Sequence, residues 1–135
     1  MNRQIASVCP CDPTRDYVAC CGRWHAGLPA PEAESLMRSR YSAYALGLAD
    51  YVLATWHAST RPAQLELAAP ANSRTIWLGL KIKEHVTTGS DSAEVEFVAR
   101  YRQGGASAKR LHERSRFVRE HGRWFYLDGE SDPAT

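Results

Sequence analysis

The sequence predicts an α+β fold, with helices in the first half packed on one face of a curved antiparallel sheet formed by the second. Two observations carry this. Between residues 31 and 56 apolar side chains recur at spacings of three and four, as on one helix face. From Thr75 onward they alternate with polar ones in four runs separated by short turns. Helices first and antiparallel strands after give segregated layers. A third observation sets the N-terminus apart. All four cysteines of the 135-residue chain fall in residues 9–21, in the string CPCDPTRDYVACC.

The length suits about one domain with a small appendage. The 13 aromatic residues (four Trp, six Tyr, three Phe) suit an ordinary core, and a chain of this size buries roughly two thirds of its unfolded surface. The formal charge of +2 identifies no partner. Its distribution says more: Arg100 to Arg123 holds eight Lys/Arg against two acids. The N-terminus has no apolar run of a secretory leader, and no stretch approaches the roughly 20 apolar residues of a membrane span. The expected compartment is the reducing cytoplasm, where disulfides are rare.

The cysteine spacing is Cys9-x-Cys11, eight residues, then Cys20-Cys21. Two disulfides would close only very short loops. Four unrelated buried thiols would leave the clustering unexplained. A zinc site explains it, because Zn²⁺ takes four thiolates in a tetrahedron. Cys9 and Cys11 grip from one turn stiffened by Pro10. Thr14 is the expected N-cap of a short helix that carries Cys20 and Cys21 and ends at Gly22. Four thiolates leave no open position, so the metal would be structural. Its net charge near −2 could be offset by Arg15 and Arg23. An alternative ligand set replaces Cys21 with His25. This stretch resembles the SEC-C zinc motif, first described at the C-terminus of the bacterial secretion ATPase. The usual Gly-Ser-Gly after the second cysteine is here Asp12-Pro13-Thr14.

Pro31 fits a first helical turn, and Met37, Tyr41, Tyr44 and Leu48 form a buried stripe with Arg38 and Arg40 off it. Gly47 can end this helix. Asp50 is the expected N-cap of a second, and residues 59–68 read as a third. The expected strands are 75–86, 93–101, 109–118 and 123–129. In the first, Ile76, Leu78, Leu80 and Ile82 alternate with Trp77, Gly79, Lys81 and Lys83. The tail from residue 131 reads as frayed.

Residues 31–57, together with WLGLKI, ERSRF and GRWFYLDG, resemble the YchJ-like family of small bacterial proteins. The resemblance implies an N-terminal SEC-C-type motif (residues 1–28) ahead of a domain similar to nuclear transport factor two (29–130). That domain is a cone, in which three helices cover a strongly bent sheet. The family implies no activity.

Such a cone can enclose a pocket. Glu113 shares a strand face with Leu111 and Phe117, and a carboxylate in apolar surroundings is the kind of group that serves as a general acid or base. The other expected pocket residues are Tyr41, Tyr44, Trp56, His57, Trp124 and Tyr126, with Asp128 nearby. The structural alternative pairs Glu113 with Arg38 or Arg40. On the opposite strand face, Arg110, His112, Arg114 and Arg116 form a basic stripe. It could contact RNA phosphates, but it lacks interleaved aromatics and faces Glu94 and Glu96. No nucleophile constellation or phosphate loop stands out. The leading expectation is a module that docks on a protein or ribosomal partner through its zinc knuckle. A small-molecule binder or enzyme using the pocket, and then RNA binding, follow it. Whether the chain is an enzyme, and its oligomeric state, stay open.

Overall fold

The computed structural model describes residues 7–65, 67 and 74–131. The chain opens with a two-stranded hairpin, β1 (Val8–Cys9) and β2 (Asp12–Asp16), then a 3₁₀ turn (Tyr17–Ala19) and helix α1 (Cys21–His25). Two further helices follow, α2 (Ala33–Leu46) and α3 (Ala49–Ala54). The sheet is β3 (Thr75–Gly89), β4 (Ser92–Gln103), β5 (Lys109–Glu120) and β6 (Arg123–Ser131), antiparallel throughout in the order β3-β4-β5-β6. Among the described residues no helix is long and apolar enough to cross a membrane.

Helix α2 is the centre of the molecule. Its burial is nearly all-round: Ala33, Leu36, Met37, Ser39, Arg40, Tyr41, Ser42 and Ala43 are all buried. One side faces the sheet, where Ala93, Val95, Phe97 and Ala99 of β4 and Phe117 of β5 complete the core. The other side takes the cysteine segment, which explains why two serines sit fully buried on it. The helix closes where Gly47 turns to φ 76°, with Gly47 N–H bonded to Tyr44 O and Leu48 N–H to Ala43 O. That pair of bonds is a Schellman closure. Helix α3 begins two residues earlier than expected. Leu48 flanks it and Asp50 lies in its first turn.

Two expected helices are replaced. Thr14 caps nothing: it lies in β2, and both its N–H and its hydroxyl bond Asp12 Oδ1. This local turn competes with helix entry. The helix starts at Cys21 instead, with Gly22 inside it. A Cβ at Gly22 would lie 2.7 Å from Tyr17 O, so only glycine lets the 3₁₀ turn back onto α1. Across 59–65 and at 67 there is no helix. Pro62 supplies no N–H and disfavours helical backbone at Arg61. The segment lies along β6 instead, where Thr60 Oγ1–H donates to Leu127 O at 2.6 Å. The rest of the expected third helix, residues 66 and 68, lies outside the described residues. Ser131 ends β6, and the tail beyond it also lies outside them.

In β3 the strict alternation breaks. Register shifts between Trp77 and Gly79, and again between Ile82 and Glu84, insert an extra residue each time. A one-residue slip reverses the faces. Trp77 therefore turns inward with Leu80 and Ile82, while Ile76 and Leu78 stand exposed.

Candidate functional site

The four thiols converge. Cys9, Cys11, Cys20 and Cys21 are all buried, and their sulfurs lie within 4.8 Å of one another. Cys11 Sγ is 3.6 Å from each of the other three. These distances are far too long for disulfides, whose S–S bond is ~2.05 Å. They match a tetrahedron: with metal–sulfur bonds of ~2.3 Å, ligand sulfurs sit roughly 3.8 Å apart. The β1–β2 turn presents Cys9 and Cys11. Cys20, with the unusual backbone φ −127°, ψ −117°, lets the adjacent Cys21 point to the same centre.

The electrostatics call for a cation. Hydrogen bonding to Cys11 and Cys21 holds the Cys9 thiol far below its ordinary range. At Cys11 the bond to Cys21 pulls down, but the bond to Cys9, burial and the Cys9 charge outweigh it and push the thiol up to about 12. Cys21 is driven up by its bonds to Cys11 and Cys9 and by burial. Like charges so close cannot all ionise unless a metal replaces the protons. The donor set is soft and closed, as a structural zinc site requires.

His25 is not part of this centre. Its Nε2–H donates to Ser39 O at 2.8 Å, and its Nδ1 accepts the Tyr17 hydroxyl at 2.6 Å. Both ring nitrogens are thus used in tying α1 to α2, and the ring edge rests on Tyr51. Ser42 reaches the thiols from α2, 3.2 Å from Cys21 Sγ and 3.5 Å from Cys9 Sγ. The thiolate centre is continuous with the core of the cone and does not hang from it as a separate knuckle.

Under α2, on the concave side of the sheet, lies a cavity of about 200 Å³. Five of the seven expected pocket residues line it: Tyr41, Tyr44, Trp56, Glu113 and Tyr126. His57 and Trp124 do not. His57 is held at the surface, between Ser59 and Glu120 Oε2 at 2.8 Å. Trp124 stacks under Arg119 and faces a second hollow beside Trp24. Asp128 points away as well, in a bidentate pair with Arg116 that lowers its pKa.

The expected ion pair of Glu113 with a helix arginine does not form. Arg38 bonds Glu34. Arg40, only 4% exposed, donates from Nη1 to Val52 O and Thr55 Oγ1, both at 2.8 Å, and lies over the rings of Tyr126 and Trp56. Burial pulls the Arg40 pKa down, against the fields of Tyr44, Tyr126 and Glu113. Glu113 Oε2 accepts the Ser115 hydroxyl at 2.8 Å and the Tyr126 hydroxyl at 3.5 Å. Burial and the Glu113 charge hold the Tyr126 phenol well above its ordinary range. Gly129 makes room for the carboxylate, since a Cβ there would overlap Glu113 Oε2. Trp56 is placed by a short parallel bridge to Tyr126, with His57 N–H bonded to Tyr126 O and Tyr126 N–H to Thr55 O, both 2.8 Å. Among the described residues its Nε1 is buried without a partner.

Trp77 is a cavity residue that sequence reasoning placed on the opposite strand face, and Arg40 is one that it offered only as an ion-pair partner of Glu113. Trp77 was legible as the one aromatic on the otherwise polar side of the first strand. On the outer face, Arg114 bonds Glu84, Glu94 and Glu96, and His112 bonds Glu96 at 2.6 Å. The basic stripe is thus largely neutralised by its neighbours.

A family model described as "YchJ, middle NTF2-like domain" matches residues 32–129. A UPF0225 protein of Methylibium petroleiphilum is 61% identical over 127 residues, 93% of this chain and 89% of that one. Another, from Xanthomonas campestris pv. campestris (strain 8004), is 58% identical over 120 residues, 89% of this chain and 92% of its own. Among solved structures, a SEC-C motif containing protein from Rhodopseudomonas palustris superposes with a TM-score of 0.77 at 32% identity, covering 93% of this chain and 99% of that one. A second SEC-C motif containing protein, from Psychrobacter arcticus, gives 0.71 at 28%, covering 96% and 85%. With its thiol cluster, its cone and these relatives, the chain belongs to the YchJ-like UPF0225 family.

Proposed function

We propose that this protein binds a small molecule in the cone cavity, and that a zinc ion in the thiolate centre staples the fold without taking part in chemistry. The observation that carries the reading is the set of unspent polar groups around the cavity. Among the described residues both hydrogen bonds of the buried Arg40, which lines the cavity, leave from one nitrogen. A guanidinium carries five N–H donors, so the remaining ones are available to water or a ligand in the cavity. The aromatic walls of Tyr41, Tyr44, Trp77 and Tyr126 suit an apolar body between those polar points. A closed four-thiolate centre has no position left for a substrate. A reducing setting such as the cytoplasm keeps its thiols available.

A second reading, docking on a protein partner through the zinc knuckle, is favoured by one observation. Val8, Val18 and Leu28, at 55%, 78% and 59% exposure, all lie in the cysteine segment and its exit. The pairing of Arg114 and Arg116 leaves RNA binding third.

A native mass spectrum of the protein taken from its own cells separates these readings. The expected masses are the chain, one zinc, and a small adduct that leaves on denaturation. Zinc with a co-purifying polypeptide and no small adduct favours docking. A metal-free chain with two disulfides contradicts the zinc assignment.

A further inference from the structure

We infer that the cone cavity is built for a monoanionic ligand with a small, flat apolar body, the chemistry of an aromatic carboxylate, and that its carboxylate pairs with Arg40 on α2. This rests on the cavity reading above and specifies its ligand.

One cation lines the cavity, and it lacks an anion. Arg40 is 4% exposed, and a charge so buried normally has a partner of opposite sign. Among the described residues its hydrogen bonds go to two neutral acceptors, Val52 O and Thr55 Oγ1. Glu113, the one carboxylate on the wall, turns instead to the hydroxyls of Ser115 and Tyr126. Of the fields that oppose the effect of burial on Arg40, those of Tyr44, Tyr126 and Tyr51 all exceed that of Glu113. The rings of Tyr126 and Trp56, 4.5 and 5.1 Å from the guanidinium carbon, stabilise the cation without neutralising it.

The open edge of the guanidinium sets the shape of the missing group. Both acceptors bond Nη1, so Nε and Nη2 have no partner among the described residues. Neither is among the sealed, unpartnered nitrogens, and the space that Arg40 lines is the cavity. Nε–H and one Nη2–H lie parallel in the guanidinium plane, the fork that takes both oxygens of a carboxylate. Tyr44 adds a third donor. It follows Arg40 by four residues on α2, on the same helix face, and lines the same cavity. Its hydroxyl has no hydrogen-bond partner among the described residues.

Charge and size complete the class. One cation holds one negative charge. A dianion would set its second charge against Glu113 in desolvated surroundings. A cationic ligand would add positive charge beside an Arg40 that already lacks an anion. A neutral ligand leaves the guanidinium unneutralised and forgoes hydrogen bonds that are roughly twice as strong when charge-assisted. An apolar cavity of about 150 Å³ holds benzene, so about 200 Å³ takes one ring and a carboxylate. Tyr41 and Trp77, edge-on at 5.6 Å between centroids, wall the apolar body.

The test uses the full-length, zinc-loaded protein with benzoate as the probe. Benzamide, toluene and benzylamine serve as neutral polar, apolar and cationic isosteres. Affinities are read by titration in ¹H–¹⁵N spectra that include the arginine Nε–H resonances. Saturable benzoate binding is expected, at least about tenfold tighter than the other three, with a downfield shift of the Arg40 Nε–H. Tyr44→Phe should weaken benzoate about tenfold and leave toluene unchanged. Arg40→Gln should abolish the preference for benzoate over benzamide. Should that variant fail to fold, the four probes on the unaltered protein still decide. Benzamide or toluene binding as tightly as benzoate overturns the inference and leaves the cavity reading standing. Tighter benzylamine overturns it in favour of Glu113 as the anchor. Benzoate binding that leaves the Arg40 Nε–H unmoved overturns it too, because the anion then sits elsewhere. If none of the four binds, the cavity reading fails and the inference with it.

Discussion

Tyr41 carries both halves of the cavity's character, packing on Trp77 and shielding the apolar space beneath α2. Burial pushes its phenol from 10.0 to about 12. The sign of the linkage follows. A group whose pKa is raised on folding contributes stability that is complete below its unfolded value and is lost as pH rises through the folded one. Stability should therefore decline between pH 10.0 and about 12 as the unfolded chain loses a proton that the folded chain keeps. Denaturant titrations across that window should show the decline, and Tyr41→Phe should make it shallower, the remainder coming from the other buried tyrosines whose phenols are also raised. An unchanged slope in the variant would assign the alkaline loss elsewhere. Glu113 is held by two hydroxyls beside a glycine-sized gap, and not by an arginine. The nearby guanidinium of Arg40 directs its Nη1 to Val52 O and Thr55.

At the scale of elements, α2 is where the two sites meet. It offers Ser39 and Ser42 to the thiolate segment on one side and Met37, Arg40, Tyr41 and Tyr44 to the cavity on the other. His25 is the main polar tie across that junction. Replacing it with Ala should cost about 1–3 kcal/mol, the scale of leaving buried groups unpaired. One zinc should still be bound, and cobalt-substituted protein should keep the spectrum of an all-thiolate site. A shifted cobalt spectrum would restore His25 as a ligand. The strands were legible in the sequence because alternation is local and the turns are marked by glycine and polar residues. So were the four thiols, whose clustering admits few explanations. What stayed hidden was non-local or depended on single insertions. The bulges in β3 turned Trp77 inward against the apparent alternation. His57 could not be placed without Glu120, 63 residues away. The helix expected from Thr14 gave way to a hairpin because Asp12 captured Thr14 first.

In the whole molecule, one core runs from the thiols through α2 to the sheet, with Cys9, Cys21, Leu36, Val95 and Phe117 all nearly inaccessible. A metal in the thiolate centre would stabilise that entire core, because binding to the folded state alone is folding free energy. The account separates itself from a picture of a loosely tethered knuckle on an independent cone. The most direct test is thermal unfolding of the zinc-loaded protein against the same protein treated with chelator, monitored by tryptophan and tyrosine signals from the cavity. The account predicts a single cooperative transition, lowered by more than about 10 °C on zinc removal, since losing several kcal/mol shifts a domain of this size by that much. A cavity signal that melts at an unchanged temperature after the metal has gone would contradict it, and would return the thiolate centre to the role of a separate docking element.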